Sequence, residues 1–434
     1  MKLLARLRRE GDAMTFEHSM LRTATLCLIA FGAVMVYSAS SGTSLLTQGG
    51  DSSLYLKRYL LSAGLGLVAM AYFSRNGVAA VRRLTPVFLA IAIGALVLVL
   101  MPGFGIEANG ARRWIGAGPL QVQPSELAKL ALVLYAAALI ASKPSRTRSL
   151  EGVRPLILVA AVMSGLIMLE PDLGTTIVVC LTLGALLVVG GVPRRHLMTL
   201  AGILVFCVLV VAIVEPYRRA RLTAFLHPWS DAQGGGFQSV QAMIAIGSGG
   251  PFGVGLGESV QKLFYLPEAH TDMILAVIGE ELGFAGIAFV LFLYGMIAYA
   301  GLRAARTARD LYAKLLAAGI TSVILIQATI NFFAVLGVLP LTGVPLPFIS
   351  YGNSNLVVLL AGMGLLINIA QNGGQATQRD RRNGHLRVLD GGRGKASKGQ
   401  AAIRKLTNAE DRDRSRRDRR ARGSGAGNRR RAAR

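Results

Sequence analysis

Ten long apolar runs limit the folds that this sequence can adopt. Hydrocarbon offers no water to backbone N–H and C=O groups, so a run of about 20 apolar residues crosses a membrane only as a helix, which satisfies these groups internally. The sequence therefore predicts an all-α, polytopic membrane protein of about ten transmembrane helices. The runs are 23–40, 55–73, 84–101, 125–142, 155–169, 172–191, 197–214, 273–300, 312–338 and 352–369.

The fifth and sixth runs are separated only by Glu170 and Pro171. A single helix over 155–191 would be far too long for one crossing, and proline interrupts the hydrogen-bond ladder of a helix. We therefore expect two tightly connected passes with a break at Pro171.

Charge is concentrated at the end of the chain. Of the 47 Lys and Arg and 23 Asp and Glu residues, 20 basic and 6 acidic residues lie in 371–434. About 12% of the remaining 370 residues are charged, against roughly 25% in soluble domains, which excludes a soluble globular protein. The segment 371–434 has too few large apolar residues to bury a core, so a disordered basic tail is expected.

The tail has two open interpretations. It is either a solvated appendage near anionic membrane lipids or a docking segment for a cytoplasmic partner. Nucleic acid is not expected as a partner, because no aromatic residue is interleaved with the basic residues for base stacking.

Basic residues also predict the orientation, because short loops rich in Lys and Arg stay in the cytoplasm. With the N-terminus inside, the inner segments contain 18 basic residues before the tail is counted, and the outer segments contain eight. We expect a multi-pass plasma membrane protein with both termini cytoplasmic. The domains are then a cytoplasmic segment 1–22, a membrane domain 23–370 and the cytoplasmic tail 371–434.

Two outer segments, about 102–124 and 215–272, are too long to be simple connectors. The second is a large extracytoplasmic loop between the seventh and eighth helices. Both contain aromatic residues and many glycines, which favours ordered backbone at the membrane surface. Within the second loop, 237–247 is apolar but too short to span, so it indicates a re-entrant or interfacial helix.

Ionisable residues gather at the outer ends of the predicted helices. Glu126 and Lys129 lie on one face of the fourth, Asp172 opens the sixth, and Asp272 precedes the eighth. Charges at membrane depth are costly and face a wet cavity or a partner. Two structural alternatives remain open: Lys129 pairs with Glu126 or Asp172, or Asp172 is a helix N-cap.

His270 and Asp272 suggest a general base or a metal ligand set. The chain has only five histidines and no H-x-x-x-H spacing, so no metal site is assigned. The glycine-rich stretch 248–257 lacks the strand and the Lys-Ser/Thr of a phosphate-binding loop, and tight packing explains it better.

Seven motifs together resemble the signatures of the SEDS family (shape, elongation, division, sporulation). The resemblance covers roughly 20–370, and the PEAHTD and IGEELG motifs are more similar to the cell-division branch than to the elongation branch. The motifs are ANGARRWI (108–115), QPSELAKL (123–130), EPDLGTT (170–176), GGGFQSVQAMIAIGSGG (234–250), GVGLGESVQKLFYLPEAHTD (253–272), IGEELG (278–283) and LPFISYGNS (346–354).

The resemblance implies a peptidoglycan glycosyltransferase that polymerises lipid II on the outer face of the plasma membrane, at the division septum. It also implies a class B penicillin-binding protein and other division proteins as partners. The essential acidic residue of the family corresponds to Asp272. Its cavity residues correspond to Glu126, Lys129 and Asp172, and its outer-loop motif to Arg112, Arg113 and Trp114; His270 and Lys262 are further candidates for substrate binding.

Glycan growth requires a sugar hydroxyl to attack an anomeric carbon and expel a polyprenyl diphosphate. Asp272, at the lipid–water boundary, is the candidate to take the hydroxyl proton. The departing diphosphate needs positive charge, from basic side chains or from a divalent cation, and no other cofactor is expected. The basic candidates are Arg112, Arg113, Lys129, the cluster Arg218, Arg219 and Arg221, and Lys262.

Two other functions compete: a lipid II flippase or transporter, and a non-catalytic division scaffold. The motifs gather on one face of the membrane, whereas alternating access normally needs polar sites that both faces can reach. The glycosyltransferase is therefore the preferred interpretation.

Overall fold

The computed structural model describes residues 16–47, 51–108, 110–117, 120–214, 216–263 and 265–373. Most of the predicted N-terminal segment and almost all of the predicted basic tail lie outside these described residues.

The described residues confirm a polytopic membrane protein of about ten helices. Nine helices are long and apolar enough to cross a membrane, and α6 is a shorter apolar helix. In chain order the helices are α1 Phe16–Thr47, α2 Leu54–Asn76, α3 Val78–Leu100, α4 Pro124–Ser142, α5 Leu150–Leu169, α6 Leu173–Val189, α7 Arg194–Val214, α8 Pro216–Leu226, α9 Phe237–Gly249, α10 Ile274–Thr307, α11 Leu311–Val335 and α12 Asn353–Gly373.

The fifth and sixth apolar runs form two helices, as expected. The structure starts α5 five residues before Pro155, because the Ser149 hydroxyl accepts a hydrogen bond from the Gly152 N–H and caps the helix there. Pro155 is the sixth residue of α5, so the helix lacks one hydrogen bond there, the one that an N–H at this position would donate to the Glu151 carbonyl.

The first outer segment contains a feature that apolar patterning did not predict. It forms a three-stranded antiparallel sheet in the order β1 Gly105–Ala108, β2 Ala111–Ala117 and β3 Leu120–Val122. Ile115 of the central strand lies opposite Gly105 on one side and Val122 on the other. Strands this short give little periodic signal, so the all-α expectation needs this one addition.

The interior of the membrane domain is formed around α10. This helix packs against α1, α9 and α11, and α11 also packs against α4 and α6. Helices α11 and α12 are mostly buried, whereas none of the residues of α7 is buried. The described domain therefore has α10, α11 and α12 at its centre and α7 at its edge.

Helix α10 is broken at Gly283, where φ is +65° and ψ is −160°. The glycine-rich loop before it fills the break. The N–H of Phe284 donates to the Gly250 carbonyl (2.9 Å), and the N–H of Val254 donates to the Glu280 carbonyl (3.0 Å). Neighbouring loop residues make equivalent bonds, so the loop supplies partners for the backbone groups that the break exposes at membrane depth.

We expect Gly283→Ala to destabilise the protein. Its backbone conformation is almost restricted to glycine, which costs about 1–3 kcal/mol for another residue, and an added Cβ would overlap backbone atoms of Gly250, Phe252 and Gly253. The thermal unfolding midpoint of the detergent-purified protein measures the effect.

The matched control is Gly295→Ala in the same helix, because a Cβ at Gly295 meets no atom within 4 Å. Alanine favours helix over glycine by about 1 kcal/mol, so the control should keep or raise the midpoint. Equal midpoints for the two variants would contradict the role of Gly283.

Candidate functional site

The predicted site residues lie at one end of the helices. Glu126 and Lys129 are in the first two turns of α4, Asp172 precedes α6, and Asp272 precedes α10. Helices α4 and α6 start on the same face because α5 returns the chain between them. Helix α10 starts there as well, because α7 returns the chain again.

The peptide of Asp272 is held by a residue that the sequence analysis missed. The side-chain amide of Asn331, in α11, donates to the carbonyl oxygens of Asp272 (2.7 Å) and Val344 (2.9 Å). A polar side chain inside an apolar run was the available signal for Asn331. Its two hydrogen bonds fix the start of α10 against the loop that follows α11.

The carboxyl group of Asp272 is half-buried and surrounded by polar groups. The hydroxyl of Thr271 lies 3.3 Å from Asp272 Oδ1 and 3.0 Å from Glu268 Oε2. The pKa of Asp272 is raised to about 6: desolvation is the largest cause, the negative charge of Glu268 acts in the same direction, and Arg221 opposes both. The carboxylate is therefore ionised at neutral pH yet basic enough to accept a proton.

His270 lies among aromatic rings. Its ring centroid is 4.3 Å from that of Tyr55 and 5.6 Å from that of Tyr351. Its carbonyl accepts a hydrogen bond from the Tyr351 N–H at 2.9 Å. Burial lowers the pKa of His270, so the ring is neutral at pH 7. This packing orders the turn that carries Asp272.

The loop between α11 and α12 connects Asp272 with the start of α6. An added Cβ at Gly174, in the first turn of α6, would overlap the carbonyl oxygen of Thr342. The next residue back, Leu341, accepts a hydrogen bond from Arg221 Nη1 at 3.4 Å. This loop therefore contacts α6, α8 and, through Asn331, the peptide of Asp272.

The structure answers the question left open for Lys129. Its ammonium forms an ion pair with Glu126 Oε1 at 2.8 Å, and both side chains are at least 97% buried. The second carboxylate oxygen of Glu126 has no hydrogen-bond partner in the described chain. The pair lines a cavity of about 20 Å³ between α4, α11 and α12, which is room for about one water molecule.

Asp172 forms an N-cap, the other structural alternative. Its carboxylate accepts from the Thr175 N–H (2.9 Å) and the Thr175 hydroxyl (2.8 Å), and Gln123 Nε2 lies 3.4 Å away. Asp172 therefore joins the start of α6 to the residue preceding α4.

The side chains of Arg112 and Arg113 diverge, as alternation along a strand requires. On β2, Arg112 Nε forms an exposed ion pair with Glu107 at 3.2 Å. Arg113 donates to the carbonyls of Glu170 (2.9 Å) and Pro171 (2.6 Å), and Trp114 beside it is half-buried. Arg113 thus holds the α5–α6 turn without a carboxylate within ion-pair distance in the described chain.

Glu170 was read from the sequence only as a separator between two helices. The structure buries its side chain completely, and both carboxyl oxygens are without a hydrogen-bond partner among the described residues. The pKa of Glu170 is raised to about 8: burial is the largest cause, the charge of Asp172 acts in the same direction, and Arg113 opposes both. Glu170 is therefore mostly protonated at pH 7.

Lys262 is engaged inside the protein. Its ammonium forms an ion pair with Glu281 at 2.8 Å and donates to the Gly257 carbonyl at 2.6 Å and the Ser38 hydroxyl at 3.2 Å. An ammonium has three donor hydrogens, so these acceptors saturate it. The adjacent Glu280 binds the Ser259 hydroxyl. The adjacent carboxylates Glu280 and Glu281 thus anchor the loop that leads to Asp272.

Across the described residues, no group of three or more His, Cys, Asp or Glu side chains is arranged to hold a metal ion. Two basic side chains of the predicted set lie near the site: Arg113 on β2, which has no carboxylate within ion-pair distance among the described residues, and Arg221 on α8, which donates to the Leu341 carbonyl.

We expect Lys262→Met to cost about 3–5 kcal/mol of stability, because it leaves the buried Glu281 carboxylate without its partner. The double variant with Glu281→Gln should recover much of the loss. Thermal unfolding of the detergent-purified proteins measures both effects.

Lys57→Met is the matched control, because Lys57 pairs with Asp51 at 2.9 Å but its side chain is 65% exposed. Exposed pairs contribute about 0–1 kcal/mol. A midpoint for Lys262→Met as high as that of this control would show that the buried pair does not anchor the loop.

The sequence of this chain is similar to those of known proteins. The family FTSW_RODA_SPOVE, described as a cell cycle protein, matches residues 18–375. Stage V sporulation protein E of Bacillus subtilis is 40% identical over 348 residues, which cover 80% of this chain and 95% of that protein. The probable peptidoglycan glycosyltransferase FtsW of Nitrosococcus halophilus is 40% identical over 349 residues, covering 80% and 90%.

Solved structures show the same similarity. A structure described as "Structural coordination of polymerization and crosslinking by a peptidoglycan synthase complex" is 31% identical with a TM-score of 0.66, covering 81% of this chain and 97% of that one. The rod shape determining protein RodA of Thermus thermophilus is 29% identical with a TM-score of 0.60, covering 81% and 96%.

Proposed function

This chain belongs to the FtsW/RodA/SpoVE family of cell cycle proteins, and we propose that it is a peptidoglycan glycosyltransferase of septal wall synthesis that uses Asp272 to activate the acceptor sugar. The glycosyltransferase activity agrees with the names of several relatives. Lipid II as the substrate and Asp272 as the base follow from the sequence motifs and from the chemistry of the site.

One observation carries the proposal: a half-buried carboxylate lies at the start of α10, with its peptide fixed by Asn331 and its pKa raised to about 6. At this boundary the prenyl tail of the substrate can stay in lipid while the sugars reach the side chain. A general base needs both this position and this basicity.

The reaction balances with Asp272 as the only proton acceptor. The acceptor hydroxyl oxygen forms a bond to the anomeric carbon of the donor, and the bond from that carbon to the diphosphate oxygen breaks. The hydroxyl proton passes to Asp272, and the prenyl diphosphate leaves with its additional negative charge. Such proton transfer contributes about 10²–10⁴ in rate.

Of the basic side chains predicted to stabilise the diphosphate, we favour Arg113 and Arg221. Lys129 and Lys262 are neutralised in buried ion pairs, and Arg112 is paired with Glu107. Arg221 lies close enough to lower the pKa of Asp272. Glu126, Lys129, Asp172 and Lys262 then position the substrate site rather than neutralise the leaving group.

We further propose that the site faces the cell exterior, that both termini are cytoplasmic, and that a class B penicillin-binding protein is the partner. The bias of Lys and Arg supports the orientation. The structural similarity to a peptidoglycan synthase complex of polymerization and crosslinking supports the partner.

Asp272→Asn should lower lipid II polymerisation by about 10²-fold or more, because the amide cannot accept the hydroxyl proton. Gel analysis of glycan products from purified protein and lipid II, with the transpeptidase partner present, measures the loss. Glu258→Gln is the control, since Glu258 is exposed on the same outer loop and the change removes the same charge.

This assay, a lipid II transport assay in vesicles and a cell-division assay together separate the alternatives. Parental polymerisation by correctly inserted Asp272→Asn protein would refute the role of Asp272. Transport of lipid II across vesicles without new glycosidic bonds would identify a flippase, and normal division with the Asp272 variant would favour a scaffold.

Polymerisation should also fall as the pH drops through about 6, where Asp272 becomes protonated. The ionised form is the active one, so the rate should be constant well above pH 6 and decrease about tenfold per pH unit below it.

Glu268→Gln should move the midpoint of this pH profile to lower pH, because the charge of Glu268 raises the pKa of Asp272. A rate that stays constant down to pH 4.5 would contradict this assignment.

A further inference from the structure

A large pocket lies at the other end of the membrane domain. It has a volume of about 810 Å³, within the range of about 300–1,000 Å³ that small-molecule sites occupy. It is enclosed by the α2–α3 turn, the α10–α11 connection and the end of α12. Asp272 precedes α10 and Arg309 follows it, so the pocket and the site of glycan growth lie on opposite faces.

The pocket is basic. Arg82, Arg83 and Arg309 line it, against a single carboxylate, Asp310. Arg82 lies 3.7 Å from that carboxylate, and both side chains are about half exposed, so the pair neutralises little of the field. The excess of two positive charges indicates an anionic ligand.

Two of the arginines have N–H donors for which the described residues provide no acceptor. Arg83 makes no hydrogen bond or ion pair with any described residue. Arg309 donates only its Nε hydrogen, to the Asn372 carbonyl at 2.9 Å, which leaves two NH₂ groups without an acceptor in the described chain. Arg82 is braced by the ring of Tyr312, 4.9 Å from its guanidinium carbon. Guanidinium groups with unused donors suit phosphate oxygens.

The backbone adds to this field. Helix α3 begins in the pocket at Val78, and Gly77 before it provides no side-chain cap. The first N–H groups of a helix have no partner within it, and the helix dipole favours negative charge at that end.

Helix α3 also has an apolar stripe that faces the bilayer. Leu84, Val87, Phe88 and Ile91 are all exposed and follow the i, i+3, i+4, i+7 spacing of one helix face. At about 100° per residue this face points away from the residues of α3 that line the pocket. The stripe therefore shows that α3 borders the lipid, and the pocket at its start opens beside the bilayer.

We propose that this pocket binds the phosphate group of an anionic phospholipid from the cytoplasmic leaflet. The side follows from the proposed orientation, and basic pockets between transmembrane helices on that side suit anionic head groups. The chain's own tail is a poor occupant, because 371–434 contains 20 basic and only 6 acidic residues.

The test is native mass spectrometry of the full chain in detergent, titrated separately with phosphatidylglycerol, phosphatidylcholine and inorganic phosphate. We expect retention of one phosphatidylglycerol, with much weaker binding of the other two. Arg83→Gln should weaken that binding about tenfold, by removing one charge-assisted contact. Combining it with Arg309→Gln should weaken binding further.

Arg195→Gln is the matched control, since Arg195 is exposed in the first turn of α7 on the same face. Arg83 has no partner to lose among the described residues, so its variant should keep the thermal midpoint measured without lipid. Phosphatidylglycerol binding that is equal in Arg83→Gln and Arg195→Gln would overturn the proposal. Inorganic phosphate that binds as tightly as the lipid would also overturn it, by identifying a soluble anion as the ligand.

Discussion

Backbone polar groups have no water to bond inside hydrocarbon, and this constraint shapes the site as well as the helices. Where α10 breaks at Gly283, loop residues from Gly250 to Gly255 bond to the exposed groups. Because this loop is fixed to the helix, the segment that follows it is also fixed at its start, and Asn331 fixes it at its end, at Asp272. The hydrogen bonds that the loop makes to the broken helix thus help to position Asp272.

Charge burial divides the ionisable residues into two roles. Lys129 and Lys262 are each matched by a buried carboxylate, Glu126 and Glu281 respectively. Burying a charged side chain costs free energy unless an opposite charge pairs with it, so we assign these paired residues a structural role. Asp272 is only half-buried and has Arg221 near it, which leaves it basic but still ionised at neutral pH. The polar network therefore holds the site while one carboxylate remains reactive.

The sequence was sufficient for the helices and for the face on which the site lies, because apolar runs and the position of Asp272 are local features. It could not give the partner of Lys262, since Glu281 is on another element and Ser38 is 224 residues away. The short strands of the first outer segment, the amide of Asn331 and the buried Glu170 were missed for related reasons: either their periodic signal is weak, or their role depends on tertiary contacts. The sequence alone assigned Asp172 two roles, and only its contacts with Thr175 decided for the cap.

The length of α10 connects the two ends of the molecule. Its 34 residues correspond to about 50 Å of helix, whereas the hydrocarbon core is about 30 Å thick. Even with the break at Gly283, both ends must therefore reach the head-group regions. In the functions that we propose, Asp272 at one end meets the sugars of a lipid-linked substrate, and Arg309 at the other meets phosphates of the opposite leaflet. An anionic lipid bound at the second end would oppose movement of α10 along the membrane normal and so keep Asp272 at the depth where the sugars lie.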